Sequence, residues 1–588
     1  MRIEDGLYEE VITEPDAGTK GADETRSTIA VQLCARLTDA QYVRERSRHR
    51  AYVRVPMDGV GALLAVRSRD MRAWLARAYY QAEGRVPPRA SLEDALATIE
   101  GMALYGNDTT DADVAVRVAG DEDTIDLDLG DDKWRMARVT RDGWRVCSHV
   151  EGARYFRRAP GMLTLPKPGG GGSLTALHDY LRVDDEGWAL LASWLIAALR
   201  PQGPYPVLCL TGEAGAAKTT SARMLRALID PSTVETTGSL REPRDAMIAA
   251  DASHVIALDN LSRLDDEMSD VLCRLATGGG YRARALYTDG DEHIIAATRP
   301  VIVTSIGDVV RRGDLLDRTL AVRLHAIPGS ERRTERALWA AFERDRPCIL
   351  GGLLDAMCVA MRRHRETADA AQRLPRLADP YLYALAAEPM LGVPCGTIAR
   401  AWTRTRADAH AVALEHSVAE AVRKLHGEQV EWSGTATELL CLLAADTYTN
   451  ESTRRSRDWP SDATRLSGAL RRLMPSLRTV GIEVEIGDRT GRDRRRIVHI
   501  RTCLIEDTDG VGVAASAASA ASAAQGKGRN GEVSGLPSAD AERSAADAES
   551  GGGPRQRPQD RAQTDAADAA DAELAYSRGP QNSLGAVL

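Results

Sequence analysis

The chain has 588 residues, 76 Lys plus Arg against 85 Asp plus Glu, and a formal charge of −9. The acid gathers at the ends: residues 1–27 sum to −5 and residues 505–588 to −6, which leaves 28–504 at +2. That length leaves room for about three folded domains between acidic tails, and nine cysteines without a CxxC pair point to a reducing compartment and exclude a zinc module.

In chain order, residues 1–27 are polar and aperiodic, and a disordered acidic tail is expected there. MRIEDGLYEE has no apolar h-region, so no signal peptide is expected. Residues 28–165 alternate short strand patterns (AYVRVP, LLAVRS, DVAVRV, TIDLDL, RMARVT, GWRVC) with helical stretches from Met71 to Gln81 and Leu92 to Leu104, predicting an N-terminal α+β domain. Within it Asp126 and Asp128 could form a metal-holding acid pair, but the TIDLDL alternation favours solvent-facing acids on an exposed strand. PKPGGGGS at 166–173 reads as a linker, opening a lead-in that extends to 204. Trp188, Leu191, Trp194, Leu195, Ala198 and Leu199 form one stripe of an amphipathic helix. Its twelve-residue apolar run is short of the roughly 20 that a membrane span requires. A soluble cytoplasmic protein with no membrane contact is expected. Residues 205–330 alternate strand and helix, 331–430 read as a helical segment, 431–502 as a compact basic module, and 503–588 as a disordered low-complexity tail.

Residues 205–330 carry the chemistry. The apolar strand Val207–Leu210 enters a loop of small residues and a helix leaves it. Gly212, Glu213, Ala214, Gly215, Ala216, Ala217, Lys218, Thr219 and Thr220 have the layout of a loop whose backbone N–H groups wrap phosphate at a helix N-terminus. Lys218 would reach the β- and γ-phosphates and the Thr219 hydroxyl would ligate Mg²⁺, so ATP and Mg²⁺ are the expected ligands. Only six of the 76 basic residues are lysine, and one of them stands where a compact ammonium is needed. Ala217 replaces the usual glycine, which alanine can do if φ stays negative. HVIAL, ending at Leu258, delivers Asp259 as a second Mg²⁺ contact. Asn260 follows where most ATPases carry a glutamate base; asparagine can orient a water, with Asp265, Asp266 or Glu267 supplying a carboxylate. A further strand brings Thr304 and Ser305 to its end as hydroxyls suited to sensing the γ-phosphate. RRGDLLDRTLAVRL then offers Arg311, Arg312 and Arg318.

TGEAGAAKTT, VIALDNLS, LATGGGYRARALYTD, RPVIVTSI and RGDLLDRTLAVRL, within 163–354, resemble the superfamily 3 helicases, specifically the poxvirus-type primase-helicase ATPases and the ATP-binding proteins of phages and mobile elements. The resemblance implies an α/β, AAA+-like P-loop NTPase core. It implies Lys218, Asp259, Asn260 and Thr304 in the catalytic site, Arg318 reaching a neighbouring subunit in trans, and a homo-oligomeric, hexameric ring. Ala217, Asn260 and Thr304 depart from the family pattern. The implied function is an ATP-dependent DNA helicase or translocase in phage or mobile-element replication, acting on single-stranded or forked DNA with other replication proteins. Two alternatives stay open: a nucleotide-switched DNA-binding regulator with little hydrolysis, and an ATPase that remodels a protein partner.

Two segments carry the expected DNA contacts. In TGGGYRARALYTDGDEHII a hairpin would present Arg282, Arg284 and His293, although its tip is acidic. Residues 465–501 hold ten arginines against four acids. Helices followed by a basic hairpin suggest a winged-helix-like module, with Arg465, Arg471 and Arg472 on its helix and Arg489, Arg492, Arg494 and Arg495 in its wing.

Overall fold

The computed structural model describes residues 17–503 apart from 38–39, 58, 239–241, 285–291, 308, 311, 372, 457–458 and 488–495. The expected C-terminal tail, Arg311 and the wing arginines 489, 492, 494 and 495 therefore lie outside the described residues.

The N-terminal part opens with helix α1 (Ala17–Ala35), whose first turns fall inside the segment expected to be disordered. Strands β1 (Gln41–Glu45), β2 (Ala51–Met57), β3 (Val60–Ala65) and β4 (Thr110–Ala112) form one sheet in the order β3-β2-β1-β4, with α2 (Arg69–Glu83) and α3 (Arg89–Tyr105) packed with it. Helix α2 starts where the Ser68 hydroxyl accepts from the Met71 amide and stops at Gly84 in the left-handed region, φ 66°. Between these caps Met71, Leu75 and Tyr79 recur every fourth residue and are buried.

Strands β5 (Val118–Gly120), β6 (Ile125–Asp128), β7 (Arg135–Val139) and β8 (Trp144–Ser148) follow as an antiparallel meander. The expectation of solvent-facing acids on β6 is wrong, since Asp126 and Asp128 are both fully buried. Asp126 accepts from Arg138 Nε at 2.7 Å and Arg154 Nε at 2.8 Å, and Asp128 is within 3.0 Å of His149 Nε2 and 3.2 Å of Arg158 Nη2. Burial alone would raise the Asp128 carboxyl, but the His149 hydrogen bond and Arg158 outweigh it and hold it at about 2. A buried carboxylate is tolerated only with such partners; with arginines on their oxygens, these acids serve the fold rather than a metal.

PKPGGGGS does not behave as a spacer. The Gly169 amide donates to the Pro347 carbonyl at 2.8 Å, inside the 36-residue helix α9 (Glu335–Ala370). A Cβ on Gly172 would sit 1.9 Å from the Cys348 carbonyl oxygen, and one on Gly351 would sit 1.8 Å from that of Gly169. The glycine run and the Gly351-Gly352 notch thus let two backbones touch. Helix α4 (Asp185–Ala198) also departs from expectation: residues 187–198 are buried on every side, so it is a central helix rather than an amphipathic one.

Residues 205–330 fold as a parallel sheet in the order β10-β13-β9-β14, from β9 (Val207–Thr211), β10 (Ile256–Leu261), β13 (Val301–Ser305) and β14 (Thr319–Arg323). Its strands are apolar on both faces, as a doubly covered parallel sheet requires. Leu208, Leu210, Ile302 and Leu320 pack with α4 and α5 (Lys218–Ile229), while Cys209, Leu258, Val301 and Val303 pack with α6 (Pro243–Ala252) and α7 (Asp266–Thr277). The hairpin β11 (Gly280–Arg284) and β12 (Glu292–Ala296) stands apart as its own two-stranded sheet, and the single turn α8 (Gly313–Leu316) precedes β14.

Helices α9, α10 (Ala378–Ala387) and α11 (Thr397–Leu414) complete the core's helical cover. The chain then runs α12 (Ser417–Glu428), β15 (Trp432–Thr435), α13 (Ala436–Leu443), α14 (Glu451–Arg454), α15 (Ala463–Thr479), β16 (Ile482–Ile486) and β17 (Ile497–Thr502). Its sheet has the antiparallel order β15-β17-β16, and Leu466, Leu470, Leu473 and Leu477 of α15 face a core shared with Val484, Val498 and Ile500.

Candidate nucleotide site and nucleic-acid surfaces

The loop at the C-terminal end of β9 is held by its glycines and by the neighbouring strand. Gly212 has φ 149°, and a Cβ there would lie 2.6 Å from the Leu324 carbonyl oxygen, so a side chain is excluded. The Leu324 amide donates to the Thr211 carbonyl at 2.8 Å, tying the loop's entry to the end of β14. Gly215 has φ 82°. Ala217, at the N-cap of α5, has φ 56° and ψ 30°, so the negative φ on which its fit in place of glycine depended is not met. The left-handed region costs a residue with a Cβ roughly 1–2 kcal/mol, which explains why glycine is the usual occupant.

The loop's side chains converge. Lys218 Nζ donates to the Gly212 and Glu213 carbonyls, each at 2.9 Å, which holds the ammonium over the loop. The Thr219 hydroxyl lies 2.9 and 3.0 Å from the two Asp259 carboxylate oxygens. The Thr304 hydroxyl, 1% exposed, donates to Asp259 Oδ1 at 2.5 Å and accepts from the Asn260 amide at 2.8 Å. A register irregularity in β10 between Leu258 and Leu261 makes this possible, and Asn260 is exposed there with φ 56°. Asparagine enters the left-handed region far more readily than most side chains, which gives a backbone reason for the absent glutamate. Of the nearby carboxylates, Asp265 caps α7 by accepting from the Met268 amide at 2.8 Å, and Asp266 faces Arg312 at 3.9 Å. Glu267 is exposed on the first turn of α7, with no partner among the described residues.

Arg318 is half-buried and folded back on α8: its Nη1 donates to the Asp314 carbonyl, and its Nε is buried without an acceptor. Arg312 is a staple between α7 and α8, 2.8 Å from Asp270 and 3.1 Å from Asp314. The Ser305 hydroxyl donates to the Gly307 carbonyl at 2.7 Å.

The DNA candidates separate. In the β11–β12 register Arg282 pairs with Ile294, Ala283 with His293 and Arg284 with Glu292, so positions 282 and 284 share one face and 293 lies on the other. On α15, Arg465 is exposed, with Asp462 at 3.8 Å. Arg471 and Arg472 are exposed as well, and they also line a cavity of about 250 Å³ with Asp314, Asp317 and Arg376. They sit where α15 meets α8, a junction that no local pattern announces.

The structure also shows groups that the sequence reading did not reach. Arg117, fully buried, donates to Asp230 at the end of α5 at 3.0 Å, and the same carboxylate accepts from the His254 and Val255 amides at 2.8 and 3.0 Å. This ties the N-terminal meander to α5 and β10. Arg332 approaches the loop closely enough that a Cβ on Gly215 would lie 3.5 Å from its Nη2. Neither residue stands out in a chain with seventy arginines.

Residues 173–387, which include the loop and the parallel sheet, match the family model of the actinomycete integrative conjugative element replication protein RepA, and residues 418–516 match that of the RepA C-terminal domain. The chain is a RepA-type replication protein of a mobile element. The second match begins inside α12 and spans the basic module. No curated protein matches the chain. Among solved structures, the A form apo structure of the NrS-1 C-terminal region is similar over 81% of this chain and 100% of that one, at 11% identity and a TM-score of 0.35. An apo structure of NrS-1 residues 305–718 is similar over 81% and 99%, at 10% identity and a TM-score of 0.34. Among the described residues, no helix of this RepA-type chain is long and apolar enough to cross a membrane.

Proposed function

We propose that this replication protein is a Mg²⁺-dependent ATPase acting as a helicase or translocase on single-stranded or forked DNA, with a P-loop core of superfamily 3 type. The observation that carries the reading is the cluster of Lys218, Thr219, Asp259 and Thr304, which joins a hydroxyl and a carboxylate at 2.9 Å beside an ammonium on a glycine-bearing loop. A hydroxyl and a carboxylate are the oxygen donors that Mg²⁺ takes when most of its shell is water and phosphate. No group of three or more acidic, His or Cys ligands occurs among the described residues. The donor set therefore fits Mg²⁺ held with a nucleotide better than a metal held by protein alone. Thr219 and Asp259 would hold the ion. When bound, it would neutralise charge on the phosphates.

In this reading the loop amides bind the phosphates, and Lys218 exchanges its two carbonyl acceptors for phosphate oxygens. Thr304 fixes the carboxylate, while the Asn260 side chain orients a water. Glu267 is the carboxylate left to accept the proton, since Asp265 and Asp266 are engaged. The basic unit 417–502 follows winged-helix order, and its exposed Arg465 supports a phosphate-backbone contact. Arg318 would act in trans within a hexameric ring. Because it lies folded on α8, that role requires it to swing out on assembly.

ATP hydrolysis with and without single-stranded DNA, for the wild type and Lys218→Ala, tests the reading. DNA-stimulated turnover that vanishes in the variant is expected, and tight binding with negligible turnover in both conditions would refute the motor. Native mass with and without ATP tests the ring. That second outcome would favour a nucleotide-switched DNA-binding regulator, which the exposed left-handed Asn260 in place of a glutamate supports.

A further inference from the structure

We infer that Arg332 is a second phosphate-binding cation of the nucleotide site, supplied by the same subunit, and that it reports nucleotide occupancy to α9. The inference rests on the reading of residues 212–220 as a nucleotide loop. Its observations are separate from those of Lys218.

Arg332 follows β14 by nine residues in an exposed segment, yet its guanidinium lies against the loop at Gly215. Gly215 has φ 82°, and even a Cβ there would meet Nη2 only at van der Waals distance, 3.5 Å, so the guanidinium lies in contact range of the loop backbone. The one hydrogen bond that Arg332 makes among the described residues is from Nε to the Ile327 carbonyl at 3.4 Å, and no described carboxylate pairs with it. The outer guanidinium nitrogens thus have no described acceptor, and the loop's one carboxylate, Glu213, is exposed and forms no ion pair with them among the described residues. Arginine in such a position makes bidentate, charge-assisted contacts to phosphate.

The segment around Arg332 is pinned on both sides. Glu331, the preceding residue, pairs with Arg182, whose carbonyl accepts from the His325 amide at 2.8 Å. Glu335, three residues on and the first of α9, accepts from Arg223 Nη1 of α5 at 2.7 Å. The same guanidinium lies 4.9 Å from the Trp339 ring centroid, one turn further along α9. Helix α5 leaves the loop directly, so the loop and α9 are joined at Arg223 and, through bound phosphate, at Arg332. A nucleotide engaging Arg332 closes the second of these links. One end of a 36-residue helix that packs on the core would then answer to the site.

The test is binding of a fluorescent mant-ATP with Mg²⁺ to the full chain, comparing wild type with Arg332→Ala, Arg332→Lys, Arg333→Ala and Lys218→Ala. Arg333 is the charge-matched neighbour, exposed and near Tyr180. We expect Arg332→Ala to weaken binding about tenfold, the size of one lost charge-assisted contact. Arg332→Lys should fall between, since it keeps charge without the planar fork, and Arg333→Ala should stay within about twofold of wild type. If Arg332→Ala binds like wild type while Lys218→Ala loses binding, the inference is overturned and the loop reading stands. If Arg332→Ala and Arg333→Ala lose affinity equally, the effect is bulk charge and the inference again fails. If wild type does not bind, or Lys218→Ala binds as well as wild type, the loop reading falls and takes the inference with it.

Discussion

Thr304→Val is the sharpest perturbation of the site. Valine matches threonine in shape, and residue 304 is 1% exposed, so the substitution removes a hydroxyl without opening a cavity. Two bonds go with it: the 2.5 Å donation to Asp259 and the 2.8 Å acceptance from the Asn260 amide. The Asn260 amide is left without its acceptor, while Asp259 keeps the Thr219 hydroxyl at 2.9 Å, so a cost of about 1–3 kcal/mol is expected. Thr304→Ser keeps both bonds and loses one methyl, about 0.8 kcal/mol. The functional effect should follow the same order, because the hydroxyl fixes both the Asp259 carboxylate and the left-handed turn at Asn260. Thermal unfolding midpoints and DNA-stimulated ATP turnover, measured for both variants, read this directly. Expected is a serine variant close to wild type and a valine variant well below it in both. Valine and serine variants that cannot be told apart would refute the assignment of Thr304 as the tie between Asp259 and Asn260.

At Ala217 the left-handed backbone predicts that Gly raises stability by about 0.5–1 kcal/mol, the relief of strain exceeding the chain-entropy cost, and that Val lowers it. A valine variant as stable as wild type by thermal unfolding would contradict that backbone. His254 is fully buried, with its Nε2 2.7 Å from the Ala198 carbonyl; burial first, then Arg299, pushes its pKa down to about 4 from 6.5. The unfolded chain therefore binds a proton that the folded one refuses. Stability present above about pH 6.5 should fall as pH drops toward 4, by up to about 3 kcal/mol, and His254→Gln should flatten that part of a midpoint-against-pH curve. In DNA titrations at several salt concentrations, Arg465→Ala should lower affinity and reduce the salt slope by about 1. Arg471→Ala should do less, because Arg471, though exposed, shares its cavity with Asp314 and Asp317, whose charge opposes a phosphate there; the reverse order would place the DNA face at the α8 junction.

Much of the local architecture is determined by the sequence itself. The Val207 strand, the small-residue loop and the helix from Lys218 stand where apolar periodicity and residue size put them. So do α15 and the strands 482–486 and 497–502. These features depend on neighbours within one window, so period and turn chemistry suffice to specify them. What only the tertiary structure decided depends on partners far along the chain. Asp126 and Asp128 read as solvent-facing until arginines 12 to 30 residues away close on them. PKPGGGGS reads as a spacer until the Gly351-Gly352 notch, more than 170 residues on, lets it pack. The conformations at Ala217 and Asn260 follow from an irregular strand end and a loop tied to Leu324. The place of Arg332 beside Gly215 follows from ion pairs at Glu331 and Glu335. With seventy arginines in the chain, arginine identity carries little information; position decides which of them meet a carboxylate, a cavity or the loop, and position is set by the packing of distant segments.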